Sequence, residues 1–454
     1  MACFWLNSQE TRVKIPITEE QENTVFYIIQ VFVGEIYWSV KHRYNDFYEL
    51  NTKLVNDHGV AKDILPCKKL LRSKCPEFIE NRRHGLEIYL QKVLKFLKLA
   101  MPRVFLEFLD FHLYDVYFIL QSLALKFYSE ADSYLSSAKT YNFTTLEVHA
   151  ITKCCNTPLP AENTSDKRYD LTHVFDFSSQ LNILYINGIS GTYLRSIIKP
   201  NELMYDFKVF KKVNTLSLNE VCLESIKDLG QLRTTLKNLT IIKSNMTSLC
   251  QILQCDVLHK YTFDNAQVWN ALTVMDLSSN CLTDIDPTIS LTPNLEVLIL
   301  DQNRFSSIPN LLQLEKLTRL SMCSNLITTC QEIHLRLGNI QHLNLSQNSI
   351  TSLVGFSKLY SLVSLNLTAN NIHDIEEIKY LSQLPCLEDL KLTGNNVSTI
   401  VDYRVKVLEY FGTRAEEICL DNEQPLQPEL DKVSIRRALK ILKEGSTPAI
   451  LNTR

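Results

Sequence analysis

The chain has 454 residues, of which 45% are hydrophobic and 21% charged, with a formal net charge of −3. At roughly 100–200 residues per domain this allows about two to four units, each long enough to bury a core. The composition excludes wholesale disorder, and a near-neutral balance excludes general nucleic-acid binding, so any anion site has to be local.

The N-terminal stretch predicts sheet. Residues 24–33 are β-branched and aromatic, Gly34 breaks the run, and residues 35–44 continue as a return strand, so 11–44 read as an antiparallel meander. From Asn45 the period changes, and Phe47, Leu50, Leu54 and Val55 share one helical face. A loop around Leu65 and Pro66 precedes a helix over 77–99, striped by Ile79, Leu86, Tyr89, Leu90, Val93, Leu94 and Leu97. Met101 and Pro102 stop it, and 104–113 predict a third helix. Strands followed by helices make an α+β domain over 1–115. Residues 116–180 read as a helical bridging segment, with 117–136 helical in period and the stretch from Pro158 to Asp166 as loop.

A repeat governs the second half. Leu272, Met275, Leu277, Asn280 and Leu282 set a pattern that returns around Asn303, Asn325, Asn348, Asn370 and Asn395. Such spacing predicts an α/β leucine-rich-repeat solenoid over 181–400, with regular repeats over 272–400. Degenerate copies without the asparagine fill 181–250, as in Leu181/Leu184/Ile186, Val213/Leu216/Leu218 and Leu236/Leu239/Ile241. Each unit supplies one short parallel strand and buries its leucines against its neighbours. The asparagine amide is expected to satisfy turn backbone that would otherwise be buried unpaired. Residues 401–454 read as a cap and a final amphipathic helix.

The 13 cysteines form no CxxC pair, which predicts free thiols in a reducing compartment. The first residues lack a basic segment, so no signal peptide is expected. No run of about 18 apolar residues suggests a membrane span. No phosphate loop, zinc-protease helix, nucleophile elbow or metal-spaced cysteine set occurs, so no enzyme activity, cofactor or metal is expected. Strand positions between the core leucines form two columns suited to a protein partner. One runs through Asp276, Ile299, Ser321, Asn344, Asn366 and Lys391, and the other includes Arg319 and His342.

One constellation points to anion chemistry: Arg43, Tyr44 and Phe47, then Leu65, Pro66 and Lys68, then Arg82 and Leu86. A guanidinium fork grips phosphate through paired charge-assisted bonds, and a phenol offers a flat face to a sugar. This combination resembles the phox-homology family over roughly residues 11–115. The resemblance implies that Arg43 holds the 3-phosphate of a phosphoinositide and that Tyr44 stacks on the inositol ring. It also implies that Lys68 meets the 1-phosphate, that Arg82 bonds the ring hydroxyls, and that Phe47 is core. Cys67 stands where the family usually has a second proline. Lys69, Leu70, Leu71 and Arg72 fall in the loop expected to face the bilayer, and Lys74 and Arg83 add positive charge nearby.

A phox-homology domain followed by leucine-rich repeats is a rare pairing that resembles the nischarin family. The residues that carry this include Val40 to Phe47, Leu86 with Tyr89 and Leu90, Lys358 to Val363, and Asp402 to Leu408. The resemblance implies a cytoplasmic adaptor, peripheral on early and recycling endosomes, that binds phosphatidylinositol 3-phosphate. Its implied partners are small GTPases of the Rac and Rab type, p21-activated kinases and an integrin α tail, in the control of Rac signalling, cell migration and endosomal traffic. The alternative reading is a cytosolic leucine-rich-repeat scaffold whose first domain does not bind lipid.

Overall fold

The computed structural model describes residues 1–67, 75–98, 101–157, 166–255 and 267–443. The chain divides into two compact units, Met1–Lys212 and Val213–Arg454.

The first unit opens with a short helix α1 (Phe4–Asn7) and the strands β1 (Arg12–Gln21), β2 (Thr24–Val33) and β3 (Ile36–Arg43). They form an antiparallel sheet in that order, as the alternation of the sequence predicts. Its inner face buries Val13, Ile15, Ile29, Val31, Trp38 and Val40. Helices α2 (Tyr44–His58) and α3 (Pro76–Leu97) cover that face. Phe47, Leu50 and Leu54 of α2 and Leu86, Tyr89, Leu90 and Val93 of α3 are buried, the stripes expected from helical spacing.

The single helix expected over 104–113 is two helices, α4 (Arg103–Phe108) and α5 (Phe111–Tyr114). Asp110 breaks them with φ of 55°, a left-handed conformation that Asp tolerates better than most residues. The turn lets Phe105 and Phe111 both reach the core. Trp38 then stacks on Tyr114 with centroids 5.0 Å apart, and its indole N–H donates to the Leu109 carbonyl at 2.7 Å.

Helix α6 (Val116–Ser137) follows the predicted period. The rest of the bridge holds a strand that the sequence reading passed over, β4 (Thr140–Thr144), then α7 (Thr145–Asn156) and α8 (Thr172–Gln180). Strand β4 pairs in parallel with β5 (Ile183–Asn187), so parallel pairing starts about 40 residues before the expected solenoid boundary at 181. The phox-homology-like core does not close at residue 115 either, because Leu146 and Ile198 belong to the same buried cluster. The segment at 195–197 lies along β3: the Ser39 N–H donates to the Arg195 carbonyl at 2.8 Å and the Ile197 N–H to the Tyr37 carbonyl at 3.3 Å. The exposed edge of the sheet is thereby covered.

In the second unit, β6 (Thr215–Asn219) and β7 (Asn238–Ile242) precede a short helix α9 (Cys250–Leu253). Three-residue strands follow: β8 (Val274–Asp276), β9 (Val297–Ile299), β10 (Arg319–Ser321), β11 (His342–Asn344), β12 (Ser364–Asn366) and β13 (Asp389–Lys391), then β14 (Cys419–Leu420). Each pairs in parallel with the next. Met275, Leu277, Leu298, Leu300, Leu343, Leu345, Leu365 and Leu367 are all buried.

The asparagines behave as the unpaired-turn argument requires. Asn303 donates from Nδ2 to the carbonyls of Leu277, one repeat back, and of Leu300 in its own repeat, at 2.9 and 3.1 Å. Its Oδ1 accepts from the Leu282 N–H at 3.0 Å. Asn325, Asn348, Asn370 and Asn395 repeat this arrangement. The cap predicted at the far end is α10 (Tyr403–Phe411), packed against α11 (Gln427–Lys443). Arg404 pins the two, with Nε 2.7 Å from Glu429 and Nη1 donating to the Leu420 carbonyl at 2.8 Å.

Candidate functional site

The site begins where β3 ends. Arg43 is the last residue of β3 and the N-cap of α2, so its side chain leaves the sheet beside the positive end of a 15-residue helix. The guanidinium is half exposed. Its Nε lies 3.1 Å from Asp46 Oδ1, while Asp46 Oδ2 accepts from the Arg43 N–H at 2.9 Å. Asp46 therefore fixes the turn and orients the arginine, leaving the terminal guanidinium nitrogens for another anion.

Tyr44, one residue on, is mostly buried, and its hydroxyl donates to the Pro66 carbonyl. Burial pushes its phenol pKa up, and the Arg82 charge partly offsets this. Arg82 projects from the first half of α3 and places its guanidinium carbon 4.4 Å from the centroid of Tyr44 and 4.4 Å from that of Phe78. Burial also raises the pKa of the Tyr27 phenol, and the Arg82 charge partly offsets this. Tyr44, the chain neighbour of Arg43, is thus joined by side-chain contact to Arg82 of the later helix. The Tyr44 ring to which the resemblance assigns inositol stacking is the ring that Arg82 lies over. Phe47 is fully buried, as expected of a core residue.

Lys68, Lys69, Leu70, Leu71, Arg72 and Lys74 lie outside the described residues. Arg83, expected to add positive charge nearby, is engaged by other groups. It bonds Glu80 at 2.5 Å and the Ile15 carbonyl, and stands 3.6 Å from Glu87. Its role is to tie α3 to the outer edge of β1.

Three contributors were missed. Phe78 flanks Arg82, a relation visible in the sequence as an i, i+4 pair on one helix. Asp46 follows Arg43 by three residues, the spacing of a helix N-terminal turn. Gly85 is the third: a Cβ there would fall 2.8 Å from Pro66 Cγ, so only glycine lets α3 approach the proline loop this closely. Gly85 has no sequence signal, since it sits one turn from Arg82 in an otherwise regular helix.

The partner columns expected on the repeats are true rows of the sheet. Asp276, Ile299, Ser321, Asn344, Asn366 and Lys391 are in register, strand by strand. So are Arg319 and His342. The outward residues are linked laterally: Ser321 Oγ donates to Asp301 Oδ1 at 2.6 Å, and Asn344 Nδ2 donates to Ser321 Oγ at 3.0 Å. Burial pushes the Asp301 carboxyl pKa up.

Residues 31–112 match the PX domain family model, and residues 338–380 match the model for leucine-rich repeats in two copies. Among curated proteins, sorting nexin-14 of Danio rerio is 38% identical over 74 residues, 16% of this chain and 8% of that protein. Sorting nexin-24 of Homo sapiens is 35% identical over 91 residues, 20% of this chain and 51% of that protein. The chain thus spans about half or less of the length of the curated relatives it matches. Among solved structures, a designed CISK-PX domain is 35% identical, covering 22% of this chain and 98% of that one at a TM-score of 0.21. An internalin (inlF) of Listeria monocytogenes is 15% identical, covering 62% of this chain and 89% of that one at a TM-score of 0.31. The chain carries a PX domain and leucine-rich repeats. Among the described residues, no helix is long and apolar enough to cross a membrane.

Proposed function

We propose that this chain is a non-enzymatic adaptor of the nischarin type. Its PX domain binds phosphatidylinositol 3-phosphate on early and recycling endosomes, and its repeat rows hold small GTPases of the Rac and Rab type. The observation that supports this reading is Arg82 lying over the ring of Tyr44, the neighbour of the half-exposed Arg43, in a domain that matches the PX model. By the phox-homology likeness, the Arg43 guanidinium would grip the phosphate through paired bonds and Arg82 would face the ring hydroxyls. Lys68 completes the set at the lipid's 1-phosphate, with Lys69, Leu70, Leu71 and Arg72 toward the bilayer. Regulation of Rac signalling, cell migration and endosomal traffic follows from the nischarin likeness, as does engagement of p21-activated kinases and an integrin α tail.

The test is co-sedimentation of the full chain with vesicles that contain or lack phosphatidylinositol 3-phosphate. The expected result is lipid-dependent binding that drops at least tenfold in Arg43→Ala, with an unchanged melting temperature. Equal binding to both vesicle types would overturn it.

One observation favours the second reading, a cytosolic scaffold with a structural PX domain. Asp46 already holds the Arg43 Nε. If that carboxylate satisfies the arginine, Asp46→Asn converts a silent domain into one that binds the lipid, whereas in the adaptor it changes affinity only modestly.

A further inference from the structure

The outer edge of β1 is zipped to α3 by side chains rather than by another strand. Going up the helix, Arg83 donates to the Ile15 carbonyl, Glu87 accepts from the Ile15 N–H at 2.6 Å, and Gln91 donates to the Val13 carbonyl at 3.3 Å. Beyond Gln91 the seam opens into a cleft of about 260 Å³. Arg12 and Lys14 line it from the strand, and Lys95 and Lys98 from the helix. The lining contains no carboxylate. Lys98 Nζ is 2.9 Å from the neutral Gln9 amide oxygen, and Arg12 rests on the Phe32 ring at 5.1 Å.

The helix macrodipole accounts for lysines in the last turn of α3. Arg12 and Lys14 are exposed positions of the edge strand β1, and they bring two more cations to the same cleft. Four cations lining one concavity raise its potential, which an anion bound there would relieve.

The cleft is far from the Arg43 site. Along the sheet, Arg43 is opposite Phe26 and Arg12 is opposite Phe32, six residues further along β2, or about 20 Å at about 3.3 Å each. Along α3, the step from Arg82 to Lys95 and Lys98 is about 20–24 Å at about 1.5 Å per residue. The two cationic sites stand at opposite ends of one domain. With Arg43 against a bilayer, the cleft faces away from it, so its anion comes from solution. This exclusion of lipid rests on the proposed membrane reading; the cationic lining does not.

We propose that the β1/α3 cleft, formed by Arg12, Lys14, Lys95 and Lys98, binds a small soluble polyphosphate, several phosphates on a compact carrier. Ammonium and guanidinium groups from two walls can each meet a different phosphate, and the cleft is too small for folded protein.

The probe is myo-inositol hexakisphosphate, titrated calorimetrically into the full chain carrying Arg43→Ala, at about 0.15 M salt to screen diffuse attraction. Saturable binding is expected. It should fall at least tenfold in Arg12→Gln/Lys14→Gln and, independently, in Lys95→Gln/Lys98→Gln, so a folding defect in one pair leaves the other decisive. Absent binding, or binding within twofold of the parent in both double variants, would overturn the proposal. So would phosphatidic acid vesicles that need the cleft, which would mark a bilayer site, or a deca-glutamate peptide that binds where the hexakisphosphate does not. Vesicles with phosphatidylinositol 3-phosphate, tested on the wild-type chain, report the Arg43 site separately.

Discussion

At the scale of single residues, the candidate site depends on groups that hold charge in place. Arg82 is sandwiched between Tyr44 and Phe78, and Tyr44 is held in turn by the Pro66 carbonyl. Gly85 makes that contact possible. Gly85→Ala improves helix propensity but pushes Pro66 aside, because its ring is close to the new methyl group and cannot fold away. Loss of the Tyr44–Pro66 bond costs about 1 kcal/mol, roughly fivefold in affinity. The expected outcome is weaker phosphoinositide binding, measured on vesicles, with helix content by circular dichroism unchanged. Unaltered binding would show that the proline loop does not shape the pocket. Arg43 and Arg82 stand out in the sequence through the resemblance to the phox-homology pattern. Gly85 does not, because its importance lies in an atom it lacks.

At the scale of elements, the repeat explains itself. Each buried asparagine satisfies backbone groups in two turns, so one side chain couples neighbouring units. A buried donor or acceptor left without a partner costs about 1–3 kcal/mol, which is why the letter recurs through the regular repeats. Gly355 is a sharper case. It sits in a 3-10 turn that lies on the previous repeat, and a Cβ there would fall 1.5 Å from the Cys330 carbonyl oxygen. The obstacle is backbone, so it cannot rotate away. Gly355→Ala is expected to lower stability by at least about 3 kcal/mol, read as a clear fall in the melting temperature of the full chain. A shift of under one degree would show that the two turns separate easily. The period of the leucines and asparagines was plain in the sequence. The strand at 140–144 was hidden, because five residues between two helices carry too few alternations to register against helical periodicity.

At the scale of the molecule, one buried carboxyl makes stability depend on pH. Asp115 joins α5 to α6 in the first unit, and its carboxylate accepts from the Phe4 N–H at 2.6 Å and the Tyr117 N–H at 3.0 Å. Burial outweighs these bonds and pushes its pKa up to about 7, from 3.8. Between about pH 4 and pH 7 the folded chain holds a proton that the unfolded chain has released, so stability falls as pH rises through this window and levels off above it. The effect is on the order of a few kcal/mol. Glu147 is also raised by burial and acts in the same sense, so the measurement is a difference. The melting temperature of the wild-type chain should drop from pH 5 to pH 8 by more than that of Asp115→Asn. Parallel slopes would remove Asp115 from the account.

The sequence alone determined the α+β character of the N-terminal domain, the repeat architecture and the core leucines. These are properties of period and residue type, which survive in one dimension. Only the tertiary structure decided that Arg83 is spent on the β1 edge, that Arg82 covers Tyr44, and that parallel strands begin at Thr140. It alone brought Arg12 and Lys14 across from Lys95 and Lys98. The physical reason is the same in each case. A charge is free or occupied, and an edge open or closed, according to what the fold brings against it from elsewhere in the chain.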